Sequence, residues 1–166
     1  LERGYDLLFK ERIPEIVQDL DNRSYTHTSP LSNWGPKGDF NRGSMHYWGV
    51  WHGGDDLEGY DVNVGRFMSE YGFQSYPQDA LAKSYDQNYR DVHSWDYRQK
   101  SYVGLKEIKR LSAKHLGLEA DKDLGYASRL LQALTLETAI NAHRREGETC
   151  GGSVLWQYNA CWPGPS

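Results

Sequence analysis

Four short β-prone runs with helical stretches among them constrain this 166-residue chain more than any other feature. They are Ser24 to Thr28, His46 to Trp51, Arg66 to Ser69 (ending on Glu70) and Ser153 to Tyr158. Each is the length of a buried strand and too short for a helix. Residues 5–20 carry Leu7, Leu8, Ile13, Ile16, Val17 and Leu20 at amphipathic-helix spacing, with Pro14 expected to break or kink it. After Pro77 the spacing predicts helices over 78–84, over 95–117 with Gly117 as the stop, and over 121–146. The last repeats Leu124, Leu130, Leu131, Leu134, Leu136 and Ile140 at three and four, and ends at Gly147. Short strands with helix between them predict an α/β fold with a parallel sheet, within the size of one domain.

Long polar loops follow the strands rather than precede them. Residues 29–45 include Trp34, and 52–63 include His52, Asp55 and Asp56. Loops of this length are usually functional or disordered, and parallel α/β folds collect function at the strand C-termini. The chain is polar, with mean hydropathy -0.80, yet holds 6 Trp and 12 Tyr. Such rings build core, and they also stack on the apolar faces of sugars.

Other classes find little support. The net charge of -4 comes without a basic run, so nucleic acid is not an expected partner. No stretch of about 18 apolar residues suggests a membrane helix. No signal peptide is visible, and a chain starting on Leu1 is expected to be a piece of a longer one. Cys150 and Cys161 lack zinc-site spacing, although one disulfide would be compatible. The six His form no HExxH, Asp55-Asp56 lacks the rest of a calcium loop, and no GxSxG or phosphate loop occurs. No metal or cofactor is therefore expected.

Glu70 is the sharpest chemical candidate, because it ends an apolar strand and Tyr71-Gly72 follows, where the backbone can turn freely. From position alone, an exposed loop glutamate or a partner of Arg66 is the plainer reading. Trp48 and Trp51 would face opposite sides of a strand, which favours Trp51 as a sugar platform and Trp48 as packing. His52, Tyr71, Trp156 and Asn159 complete the candidate substrate contacts, and Gln157 beside Asn159 offers further hydrogen bonds to hydroxyls.

Three blocks sharpen this. They are His46-Tyr47-Trp48-Gly49-Val50-Trp51-His52-Gly53-Gly54, then Gly65-Arg66-Phe67-Met68-Ser69-Glu70-Tyr71-Gly72-Phe73-Gln74-Ser75-Tyr76-Pro77, then Leu155-Trp156-Gln157-Tyr158-Asn159-Ala160-Cys161-Trp162-Pro163. In this order and spacing the chain resembles the β-mannosidases of glycoside hydrolase family 2. The resemblance implies a (β/α)8 TIM barrel, of which residues 1–166 would supply strands five to eight. It also implies that Glu70 is the nucleophile of a retaining hydrolase releasing terminal β-D-mannose. Trp51 and Trp156 would be sugar contacts. Ala160 departs from the pattern, since many relatives have Asp there.

The family's acid/base glutamate follows an Asn, and no Asn-Glu dipeptide occurs in this sequence. The resemblance therefore implies that the acid/base group and the flanking domains lie outside these residues. The chain alone is expected to be inactive, and either to self-associate through uncovered barrel edges or to close the gap by rearrangement. A β-galactosidase or β-glucuronidase of the same family would share barrel and nucleophile, and the Trp-Gly-Val-Trp-His-Gly block tips the choice to mannosidase. A noncatalytic carbohydrate-binding module fits the aromatic content but not the long helices, and a purely structural α/β domain is the remaining reading. The sequence names no compartment.

Overall fold

The computed structural model of the protein describes residues 1–32, 40–89, 91–119, 122–160 and 164–166. Trp34 and Cys161 lie outside the described residues, and with them any question of a Cys150–Cys161 pair. Helical structure opens the chain: Glu2–Tyr5 (α1), π-helical turns over Asp6–Arg12, and Ile13–Leu20 (α2). Pro14 lies in the first turn of α2, where its missing N–H is least costly. The helical axis therefore continues past it, through a widened stretch rather than a break. None of these three segments buries a residue, and Leu7, Leu8, Ile16 and Leu20 stay exposed. The amphipathic face anticipated from the spacing exists, but nothing within the described chain covers it.

The strands β1 (Ser44–His46) and β2 (Phe67–Glu70) pair in parallel. Ser44 faces Phe67 and Met45 faces Met68, then a register shift sets His46 opposite Glu70. Single parallel bridges flank this pair, Ser32 to Met45 on one side and Met68 to Ser153 on the other. Four segments thus lie side by side in chain order. Met45 and Met68 are fully buried at the centre of the row, each contributing roughly 1.5–3 kcal/mol by removal from water.

Two of the four expected strands do not form as ladders. Residues 24–28 are irregular, and the contact with β1 comes later, where the Leu31 and Ser32 N–H groups donate to the Ser44 carbonyl. Around Ser153 there is a bridge and no longer ladder, although Val154 N donates to the Met68 carbonyl. Both are outer members of the row with one neighbour each, so half their backbone groups have no ladder partner. The second run is shifted: β1 stops at His46, and Gly49–Gly53 coils into a π-helical turn ended by Gly54 at φ 77°.

Helices α3 (Gly59–Val62), α4 (Asp79–Tyr85), α5 (Val92–Arg98), α6 (Leu105–Leu116) and α7 (Leu124–Arg145) complete the described chain. The single helix expected over 95–117 is two, because Gly104 adopts φ 51° between α5 and α6. Gly117, at φ 62°, caps α6 as anticipated. Asp123 caps α7, its Oδ1 accepting from Tyr126 N at 2.9 Å. Ala127, Leu131, Ala139 and Ala142 line the buried stripe of α7, which packs against α6 and α3.

His143 ties α7 to the strand row. It is 4% exposed, its Nδ1 lies 2.8 Å from Ser153 Oγ, and its ring meets Tyr71 edge-on at 4.6 Å. Burial lowers its pKa to about 4, and Nε2 has no partner among the described residues to accept a second proton. The folded pKa lies below the unfolded value, so the unfolded chain takes up the proton first. Stability from the neutral ring is complete above about pH 6.5 and is lost as pH falls toward about 4. Between pH 7 and 4.5 the protein should lose about 2 kcal/mol more unfolding free energy than its His143→Phe variant. Urea melts of both at the two pH values measure this, and equal losses would refute it.

Candidate active site

β2 delivers Glu70 to the C-terminal edge of the strand row. Its carbonyl accepts from Tyr47 N at 3.0 Å, which fixes the strand end. The side chain is 23% exposed, and two ring nitrogens converge on one carboxylate oxygen. His46 Nδ1 lies 3.2 Å from Oε2, and Trp48 Nε1 donates to the same atom at 3.3 Å. The register shift between Met45 and His46 is what places the imidazole there.

Burial lowers the pKa of His46, with the Glu70 charge pulling in the opposite direction. Nδ1 is the ring nitrogen turned to Glu70. Nε2 then faces Ser29 Oγ at 3.3 Å. Ser29 Oγ also lies 3.2 Å from Ser44 Oγ and donates to Ser69 Oγ at 3.2 Å, a polar chain along the strand ends.

Trp48, which meets Glu70, also lines a cleft of about 150 Å3. Trp48, Trp51, His52, Phe73 and Trp156 form its aromatic wall, and Gln74, Lys100, Ser101 and Gln157 supply polar groups. The turn carrying Trp51 and His52 is braced from beneath. Tyr47 Oη donates to Asp55 Oδ2 at 2.7 Å and accepts from Asn63 Nδ2 at 3.1 Å. A Cβ on Gly49 would lie 2.6 Å from that hydroxyl and one on Gly59 2.4 Å, so both positions need glycine for space. From outside, α6 holds the following loop: Arg110 Nη2 donates to the Asp55 carbonyl at 2.9 Å, and Lys114 and His115 pair with Asp56.

Trp51, His52 and Trp156 line this cleft with differing parts, and Glu70 is linked to it through Trp48. Trp51, expected as the exposed platform, is 4% exposed and meets Phe73 edge-on at 4.6 Å, so it forms the cleft floor. Trp48, expected as packing, is the ring that reaches the carboxylate. The exchange follows from the π-helical turn, which removes the strand alternation on which the expectation rested. His52 stacks on Trp48 with centroids 5.4 Å apart, and burial lowers its pKa. Trp156 stands 53% exposed at the rim.

Tyr71 and Asn159 do not join them. Tyr71 is 3% exposed and packs on His143 and Tyr60, on the core side of the row. Asn159 is exposed outside the cleft, its carbonyl accepting from the Gln157 amide, and Gln157 is the residue that lines the wall. His46 was not singled out from sequence. The expected run began at His46, so nothing local marked it as the end of the strand that pairs with β2. Gly72 also acts differently from the free turn expected of it. Its φ is not positive; instead an added Cβ would lie 2.1 Å from the Trp156 carbonyl oxygen. Close backbone approach, with Trp156 N donating to the Tyr71 carbonyl at 2.9 Å, brings Trp156 to the site.

No family model matches the chain. It is 30% identical to β-mannosidase B of Neosartorya fischeri and to β-mannosidase B of Aspergillus niger, in each case over 94% of this chain and 20% of the relative. The structure matches the crystal structure of β-D-mannosidase from Dictyoglomus thermophilum with a TM-score of 0.85 and 30% identity, over 97% of this chain and 20% of that one. The chain thus spans about one fifth of the length of the curated relatives it matches.

Proposed function

The chain is homologous, over nearly its whole length, to one segment of the β-mannosidases, and on that premise we propose that it carries the nucleophile half of a retaining β-mannosidase site. Glu70 attacks the anomeric carbon of a terminal β-D-mannosyl unit, forming a covalent glycosyl-enzyme that water then hydrolyses. The observation that carries this reading is the pair of ring nitrogens on Glu70. Trp48 donates to Oε2 and His46 Nδ1 lies 3.2 Å from it, which orients the carboxylate and leaves Oε1 without a partner among the described residues to make the attack. Trp48, Trp51 and Trp156 present ring surface to the sugar, and Gln157 meets its hydroxyls. The chemistry requires no metal or cofactor.

Such a mechanism needs a second carboxyl group about 5–5.5 Å from the first. In this reading an acid/base glutamate from outside these residues supplies it, and residues 1–166 are the C-terminal half of a (β/α)8 barrel. Two observations support the barrel. Four segments lie in parallel, in chain order, with helices between the later ones. The helical segment 2–20 also has an apolar face without cover, suited to the remaining barrel elements. Without them, that face and the outer members of the row are surfaces for self-association.

The test is hydrolysis by the full-length protein of matched aryl β-mannoside, β-galactoside and β-glucuronide, with the anomer of the first product followed by NMR. A preference for the mannoside and release of β-mannose are expected. Preference for another glycoside, α-mannose as first product, or binding without turnover would overturn the reading.

A further inference from the structure

The contacts of Trp48 continue outward from Glu70. His52 stacks on Trp48 with centroids 5.4 Å apart and planes 26° apart. Tyr102 lies next on His52, at 4.9 Å and 34°. Rings at these separations are offset, so each leaves part of its face open. Tyr102, the outermost, is 78% exposed.

The segment presenting Tyr102, between α5 and α6, is held by its own side chains. Gln99 Oε1 accepts from Ser101 N at 2.9 Å, and Ser101 Oγ accepts from Val103 N at 3.2 Å. Gly104, at φ 51°, lets the Gln99 amide pack within 3.2 Å of where a Cβ would stand. Ser101 is turned inward and 7% exposed, while its neighbours Lys100 and Tyr102 are both exposed. Lys100 lines the cleft and has no ion pair among the described residues. A large ring and an ammonium group are thus kept at the cleft rim although neither contributes to the core.

We propose that Tyr102, with Lys100 beside it, forms an outer saccharide subsite for the sugar unit next to the one that is cleaved. The cleft, at about 150 Å3, is smaller than the roughly 300 Å3 or more of a pocket that encloses a whole ligand. A longer β-linked saccharide must therefore continue over the rim, and the ring row leads there. The second sugar stacks on Tyr102, and Lys100 donates to its ring or hydroxyl oxygens. This assignment rests on the mannosidase reading and adds to it a preference for saccharides over small aglycones.

The experiment compares a β-linked mannobiose with β-mannosyl fluoride, whose leaving atom is too small to reach Tyr102, in the full-length protein. In Tyr102→Ala the ratio of kcat/KM for mannobiose to that for the fluoride should fall about tenfold, the order expected for one lost stacking contact. Tyr102→Phe keeps the ring and should hold the ratio within about twofold of wild type. An unchanged ratio in Tyr102→Ala, or equal loss in the Phe and Ala variants, would overturn the subsite. A wild-type protein inactive on both substrates would remove the mannosidase reading itself, and the subsite with it.

Discussion

Replacement of Glu70 by Gln should lower turnover of β-mannosides by at least about a thousandfold, the scale of losing a covalent nucleophile. The amide cannot form the glycosyl-enzyme, and its NH2 would confront the N–H of Trp48 wherever it replaced Oε2. The fold should survive. Glu70 contributes its backbone carbonyl to Tyr47 N, a bond the substitution leaves in place, and its side chain is 23% exposed. Steady-state rates and thermal melts of both proteins separate the two effects. A sharper version uses Glu70→Ala with azide, which should enter the vacated space and yield an α-mannosyl azide, since one displacement inverts the anomeric centre. Near wild-type turnover in Glu70→Gln would end the assignment.

Gly72→Ala should cost about 1–3 kcal/mol of stability, the range for overpacking a site that must shift, and should lower activity as well. Its Cβ would stand 2.1 Å from the Trp156 carbonyl oxygen and 3.1 Å from the carbonyl carbon. Backbone cannot rotate away as a side chain can, so the 155–157 segment must retreat from β2. That movement weakens the bond from Trp156 N to the Tyr71 carbonyl and draws the Trp156 ring and Gln157 away from the cleft. Gly53→Ala is the control, because nothing lies within 4 Å of a Cβ there. Melting temperature and tryptophan fluorescence should respond strongly at residue 72 and little at residue 53. Equal responses would show that close approach at Gly72 does not govern the site.

The contrast between these two glycines shows what was legible in advance. Gly72 reads as a point of backbone freedom, yet it lies against a carbonyl 84 positions later in the chain, while Gly53 has open space. Local sequence reports that a Cβ is missing, not what would have met it. The same limit explains Trp48 and Trp51. Spacing placed them on opposite faces of a strand, but Gly49, Gly53 and Gly54 allow a π-helical turn, and the pairing of β1 with β2 ends at His46. Glycines at both ends of that run were a warning against an uninterrupted strand. Gly104 was an equal warning against one helix over 95–117. Helices α4, α6 and α7 were readable because their apolar stripes and caps are local. The outer strand-like segments were not, because a ladder depends on neighbours on both sides.

The sequence by itself determined helices α4, α6 and α7, the aromatic-rich segments around the strands, and Glu70 at the end of β2. All follow from periodicity, turn chemistry and residue type within a few positions. Only the tertiary structure decided which groups meet that carboxylate. A register shift between β1 and β2 sets His46 opposite Glu70, a π-helical turn swings Trp48 rather than Trp51 onto its oxygen, and the closeness of Gly72 brings in Trp156. Each is a relation between segments distant in the chain, set by packing and hydrogen bonding across the row, and no local pattern carries it.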